Sequence, residues 1–207
     1  MEQGICYIFG AGDATACDIQ LTPNDYVIAA DGGFDYATNL GLIPNIAIGD
    51  FDSISTSALP ENRIVHPPEK DETDMMLALR HGLDKGYHTI HIYGGLGGRL
   101  DHTLANIQNL AWLAGEGGQG FLFSDLYTIS VIKDSSITLP TSKEGYFSVF
   151  SLTDQSEGIS ITGGKYPLSN ASLSNHFPLG VSNEFAGNEV KISVKKGTLI
   201  ILWYPSY

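Results

Sequence analysis

Six aspartates in the first half of the chain stand in four short clusters: Ala30-Asp31-Gly32-Gly33, Gly49-Asp50-Phe51-Asp52-Ser53, Lys70-Asp71-Glu72-Thr73-Asp74 and Gly98-Arg99-Leu100-Asp101-His102. Carboxylates at the C-terminal ends of strands do little for stability, but they can hold a divalent cation at a sheet edge. Asp50 and Asp52 are the sharpest pair. Residues i and i+2 of an extended chain point the same way, so both carboxylates can face one cation. A polar turn in which Asp50 and Ser53 satisfy backbone donors accounts for the same residues. Asp71 and Asp74 share a face if both are helical, and near a helix start they also complement the macrodipole. Thr73 is suited to cap that helix. Lys70 offers a cation to a phosphate, or simply to solvent.

Glycines mark the other candidate contacts. Gly32 and Gly33 follow Asp31 and permit either a tight turn or close approach of a phosphate to a helix N-terminus. Gly94-Gly95-Leu96-Gly97-Gly98-Arg99 has the character of an anion-cradling loop, although no Gly-Lys-Ser/Thr follows to make it a Walker A motif. Arg99 can clamp a phosphate bidentately or pair with a carboxylate such as Asp101. Gly10-Ala11-Gly12 is an incomplete dinucleotide fingerprint. The six histidines show no zinc spacing, and no Gly-x-Ser-x-Gly nucleophile elbow is present.

Elements that would position these residues are visible in the hydrophobic pattern. Apolar runs at Ile5 to Phe9, Tyr26 to Ala30, Ile46 to Ile48, Thr89 to Tyr93 and Phe121 to Phe123 each end in turn residues, as buried parallel strands do. Helical patterns lie between them. The first carries Phe34, Ala37 and Leu40, the second Met76, Leu79 and Leu83, and the third Leu104, Ile107, Leu110 or Ala111, and Leu113, with Asn106 and Asn109 elsewhere on its surface. This alternation predicts an α/β fold with an open parallel sheet and flanking helices over residues 1–125. Helical periodicity then stops. Strand patterns at 128–133, 146–152, 158–161 and 189–194 predict an all-β sandwich over residues 126–207. Lys196-Gly197 is expected to turn the strand ending near Val194 into a hairpin with Thr198 to Trp203.

Composition sets limits. With 207 residues and 43% hydrophobic content the chain can bury a normal core. A formal net charge of −12 argues against DNA or RNA as a partner, since no basic stripe exists to neutralise phosphates. A nucleotide screened by Mg²⁺ remains compatible with an acidic protein. Cys6 and Cys17 suggest neither a disulfide scaffold nor a metal site. No apolar stretch is long enough for a transmembrane helix and no secretory pattern is evident, so a cytoplasmic protein without a membrane association is expected.

Taken in order, the segments Ala-Asp-Gly-Gly (30–33), Gly-Asp-Phe-Asp-Ser (49–53), Lys-Asp-Glu-Thr-Asp (70–74) and Gly-Gly-Leu-Gly-Gly-Arg-Leu-Asp-His (94–102) resemble the thiamin pyrophosphokinase family. Leu-Gly-Val-Ser-Asn-Glu-Phe (179–185) resembles that family's substrate-domain motif. Composition and spacing alone reach only a Mg²⁺-dependent, phosphate-handling α/β enzyme. The resemblance implies transfer of the pyrophosphoryl group of ATP to the hydroxyethyl group of thiamin, with AMP as the other product. It implies a homodimer with thiamin at the subunit interface, and Mg²⁺ held by Asp50, Asp52 and Asp74. Nucleotide and phosphate contacts fall on Asp31, Asp71, Thr73, Arg99 and Asp101, with Gly32, Gly33, Lys70, Gly94 and Gly95 around them. By the same resemblance Asp71, Arg99 and Asp101 would form the catalytic set, with Asp101 or Asp71 a candidate acceptor for the thiamin hydroxyl proton. Ser182 and Asn183 would contact thiamin. Where eukaryotic-type members place a tryptophan after this serine, the nearest aromatic residue here is Phe185. Two alternatives keep the same scaffold: a pyrophosphokinase acting on another alcohol such as a pterin, and a non-catalytic nucleotide or thiamin sensor.

Overall fold

The computed structural model describes residues 4–51, 62–67, 69 and 71–204. The chain divides into two compact units, Met1–Asp125 and Leu126–Tyr207. The first contains β1 (Cys6–Phe9), β2 (Tyr26–Ala30), α1 (Gly33–Asn39), β3 (Ile46–Gly49), β4 (Arg63–Val65), α2 (Asp74–Asp84), β5 (Thr89–Tyr93), α3 (Leu100–Gly115) and β6 (Gln119–Phe123). Every strand pair within it is parallel, in the order β6-β5-β1-β2-β3-β4. Strand order reverses beside β1, because β2 lies on one side and β5 on the other. That reversal opens the crevice where sheets of this kind bind ligands, beyond the carboxyl ends of the strands.

The strands form where the apolar runs predict, because both faces of the sheet are covered. Tyr7, Phe9, Val27 and Tyr93 pack with Ala37 of α1 on one face. On the other, Gly82 of α2 comes so close to Cys6 that an added Cβ would sit 3.0 Å from its Sγ. Gly120 of β6 likewise receives Leu110 and Leu113 of α3. The helices exist as expected, but their buried stripes are rotated. The α2 stripe is Met75, Ala78, Leu79 and Gly82 rather than one running through Met76 and Leu83. That of α3 is Asn106, Leu110 and Leu113, and Leu104 is 56% exposed. Leu40 is the exposed C-cap of α1. Strand β4 was not visible in the sequence, being short and mostly exposed.

The second unit contains β7 (Thr128–Lys133), β8 (Ser136–Leu139), β9 (Tyr146–Ser151), β10 (Gln155–Thr162), β11 (Leu168–Ser174), β12 (Asn183–Glu184), β13 (Val190–Ser193) and β14 (Thr198–Trp203). It is an all-β sandwich of two antiparallel sheets, β12-β9-β14-β7 and β11-β10-β13-β8. The expected β13–β14 hairpin does not form. Strand β13 pairs with β10 and β8, whereas β14 pairs with β7 and β9. The Lys195 to Gly197 segment instead carries the chain from one sheet to the other. Gly197 has φ +121°, and its N–H donates to Asp134 Oδ1 at 2.7 Å. A side chain there would meet Ser156, so the crossing requires glycine.

Candidate active site

A cleft of about 490 Å³ opens in the first unit at the carboxyl ends of β1, β2, β3 and β5. Gly10, Asp31, Asp50 and Gly94 line it, one from each strand end. Thr73 and Asp74 enter from the start of α2, and Arg99, His102 and Asn106 from the start of α3. Two helix N-termini therefore converge there, each with the positive end of its helix dipole.

Local backbone geometry explains how each residue arrives. Asp31 adopts φ +47°, its N–H donates to Ile48 O at 2.8 Å, and its carbonyl accepts from Phe34 N at 3.1 Å. Aspartate tolerates this left-handed conformation better than most residues. The turn brings Asp31 against β3, where a Cβ on Gly49 would lie 3.1 Å from the Asp31 Cα. Asp50 follows directly. Phe51 then takes φ +61°, unusual for an aromatic residue, and packs on Ala29, Phe34 and Ala47. Thr73 caps α2 by accepting from Met76 N at 3.2 Å, which sets Asp74 at the first helical position. Glu72 also lines the cleft. It is held by Arg80 at 2.5 Å, and Arg80 in turn lies 5.8 Å above the Trp112 ring.

Glycines shape the far wall. Gly94, Gly97 and Gly98 have φ of +63°, +80° and +59°. A side chain on Gly94 would collide with the Gly10 carbonyl at 2.3 Å. Arg99 and Asp101 form a bidentate pair, with Nη2 to Oδ2 at 2.6 Å and Nε to Oδ1 at 3.1 Å. Both side chains are exposed. The hydrogen bonds from Arg99 hold the Asp101 carboxyl below the usual carboxylate range, and the same pairing raises the Arg99 guanidinium further.

The cleft thus collects Asp31, Asp50, Thr73, Asp74, Gly94, Gly95 and Arg99. Asp71 is exposed and does not line it, and Asp101 reaches it only through Arg99. Gly32 and Gly33 lie behind Asp31. Gly33 is needed for packing, since its Cβ would fall 1.9 Å from Phe9 O. Asp52 and Lys70 lie outside the described residues. Among the described residues no three His, Cys, Asp or Glu side chains are grouped tightly enough to hold a metal by themselves. Glu72, His102 and Asn106 were assigned no role in the sequence. The helical spacing of Arg99, His102 and Asn106 was the available signal for the last two.

In the second unit, Ser182 is exposed at φ +59°, with its N–H donating to Ser148 Oγ at 3.1 Å. Asn183 is buried. Its Oδ1 accepts from Tyr166 N and Glu184 N, and its Nδ2 donates to Tyr166 O at 2.7 Å. No helix among the described residues is long and apolar enough to cross a membrane.

An acidic cleft at the strand ends of a parallel α/β unit, joined to an antiparallel β unit, defines an α/β enzyme with a separate β domain. The model for the thiamin pyrophosphokinase catalytic domain matches residues 19–119, and that for the family's vitamin B1 binding domain matches residues 128–199. Thiamine pyrophosphokinase of Bacillus subtilis (strain 168) is 32% identical over 183 residues, covering 84% of this chain and 85% of its own. The crystal structure of the thiamine pyrophosphokinase from Bacillus subtilis superposes with a TM-score of 0.86 at 28% identity, covering 99% of this chain and 100% of that one. The thiamin pyrophosphokinase of Geobacillus thermodenitrificans gives 0.85 at 26% identity, covering 98% of each. The chain belongs to the thiamin pyrophosphokinase family.

Proposed function

We propose that the protein transfers the pyrophosphoryl group of ATP to the hydroxyethyl oxygen of thiamin, giving thiamin pyrophosphate and AMP. The observation that carries this reading is the meeting of Asp31, Asp50 and Asp74 with the glycine loop and the starts of α2 and α3 in one cleft of a chain from this family. Backbone N–H groups at helix starts and in loops with alternating φ sign suit phosphates. Gly94, Gly95 and Thr73 would receive the nucleotide phosphates, the family resemblance adds Lys70 to the phosphate contacts, and the Asp31-Gly32-Gly33 turn would border the nucleotide.

The donor set fits Mg²⁺. Asp50, Asp52 and Asp74 supply hard oxygen ligands, and Mg²⁺ is usually held by one or two carboxylates together with substrate phosphates and water. That explains why no complete protein cage is needed. When bound, the ion would neutralise charge on the phosphate oxygens.

In the reaction the thiamin hydroxyl oxygen bonds to the β-phosphorus. The bond from that phosphorus to the α,β-bridging oxygen breaks, AMP leaves with that oxygen, and the hydroxyl proton passes to a carboxylate. Arg99 would stabilise the charge that builds on the phosphoryl oxygens. Asp101 and Asp71 are the two candidates for the proton: the hydrogen bonds from Arg99 lower the basicity of Asp101, and Asp71 lies outside the lining of the cleft. A homodimer and a cytoplasmic setting belong to the same reading through the family resemblance.

The deciding assay incubates purified protein with thiamin, ATP and Mg²⁺ and quantifies every product. AMP and thiamin pyrophosphate are expected in equal amounts. Stoichiometric ADP with thiamin monophosphate would overturn the transfer assigned here. Turnover of a pterin alcohol in preference to thiamin would move the enzyme to another acceptor, and no turnover with either would support a sensor.

A second expectation concerns thiamin. Ser182, exposed in the second unit, is proposed as a direct contact, and Asn183 as the residue that holds its turn. Ser182→Ala should raise the thiamin KM by roughly 2- to 10-fold, the worth of one neutral hydrogen bond, with the ATP KM unchanged. Asn183→Ala should instead lower the melting temperature, since it removes a buried amide that makes three hydrogen bonds to the backbone of Tyr166 and Glu184, each worth about 0.5–1.5 kcal/mol. Equal thiamin KM values in wild type and Ser182→Ala would remove that side chain from the site.

A further inference from the structure

Asn106 was read from the sequence as a surface residue of α3, but it is 7% exposed and lines the floor of the cleft. Its Nδ2 donates to the carbonyl of Gly95 at 2.6 Å. The neighbouring carbonyls of the loop are also engaged. Tyr93 O accepts from Gly10 N at 2.8 Å, Gly94 O from Gly12 N at 2.7 Å, and Leu96 O from Asp13 N at 2.9 Å. Four successive carbonyls are thus taken up by protein donors. Three of the donors are backbone N–H groups of the segment after β1, and Asn106 is the side chain that supplies the fourth.

The arrangement matters for charge. An unengaged carbonyl oxygen at the cleft would repel a phosphate, whereas one held by a donor has its negative end offset and its peptide plane fixed. Gly95 cannot be held by a side chain of its own. A Cβ there would lie 2.6 Å from Leu122 Cδ2 and 2.9 Å from Ile92 Cγ2. Asn109 Nδ2 lies 3.4 Å from Asn106 Oδ1, which orients the amide with its N–H groups toward Gly95.

We infer that Asn106 is a positioning residue: by donating to the Gly95 carbonyl it offsets the negative end of that peptide and fixes its orientation, and so gives the glycine loop the polarity that accepts a polyphosphate. This rests on the nucleotide reading of the cleft given above. It adds a residue that acts on phosphate binding through the loop and need not touch the nucleotide.

The test compares Asn106→Asp and Asn106→Leu, both close to asparagine in size, with wild type. Asn106→Asp replaces the donor with an acceptor facing the carbonyl, and Asn106→Leu removes the donor while keeping the buried volume filled. Each is expected to raise the ATP KM about 10-fold or more, with the larger effect in Asn106→Asp, while the thiamin KM stays within about 2-fold. An unchanged ATP KM in a variant that retains its thiamin KM would overturn the inference. A parallel rise in both KM values with a lowered melting temperature would also overturn it, by showing a merely structural role. Should Asn106→Asp fail to fold, Asn106→Leu, which carries no charge into the core, decides by the same comparison. Wild-type protein showing no saturable dependence on ATP would instead sink the nucleotide reading, and this inference with it.

Discussion

Asp50→Asn and Asp74→Asn are each expected to lower turnover at least ~100-fold, the scale of losing one preorganised electrostatic contact. Both residues line the cleft, and each substitution removes one formal charge while keeping the shape of the side chain. Their structural costs differ and are small. Asp50 lies in the loop after β3. Asp74 opens α2, where losing a carboxylate beside the helix dipole costs about 0.3–1 kcal/mol. Turnover should recover in part as Mg²⁺ is raised, if the lost charge acts by holding the cation. Melting temperature measured beside turnover separates the site effect from instability. Wild-type turnover in either variant at limiting Mg²⁺ would take that carboxylate out of the site.

Arg99→Ala should be nearly as damaging, with kcat reduced about 100-fold. The guanidinium reaches the cleft from the cap position of α3, and its bidentate pair with Asp101 restricts where it can point. Because both partners are exposed, the pair contributes little to stability, and its value would lie in orientation. Arg99→Lys keeps the charge but loses the planar fork, so an intermediate loss of about 10-fold is expected. Asp101→Asn leaves Arg99 charged and less restrained, and should cost less than Arg99→Ala. Steady-state kinetics of the three variants test this order. An Arg99→Ala enzyme within about 3-fold of wild-type kcat would assign the arginine to the rim of the cleft with no part in the chemistry.

Much of this organisation is written locally. Apolar runs such as Tyr26 to Ala30 and Ile46 to Gly49, separated by helical patterns, fit strands buried on both faces of a covered parallel sheet. Once the sheet is parallel, the residues that follow each run must meet at one edge. The meeting of Asp31, Asp50 and the Gly94 loop was therefore legible before any coordinates. Thr73 was legible as well, because an N-cap is made within three residues of sequence. Other features depend on what lies across space. The alternation of Val190 and Ile192 reports that one face of β13 is buried, but not which strand lies beside it, so a hairpin and a crossing between sheets look alike in sequence. Strand β11, Leu-Ser-Asn-Ala-Ser-Leu-Ser, carries almost no hydrophobic signal, and its pairing with β10 supplies the order that its own residues do not. Gly33 reads as a flexible turn residue until Phe9 is seen to occupy the space of its missing side chain. Asn106 is the sharpest case. A polar residue on a helix is read as facing solvent because burying an unmatched amide is costly. Only the tertiary structure shows the Gly95 carbonyl that matches it, since that partner lies on a different element and its orientation is set by the packing of α3 against the sheet.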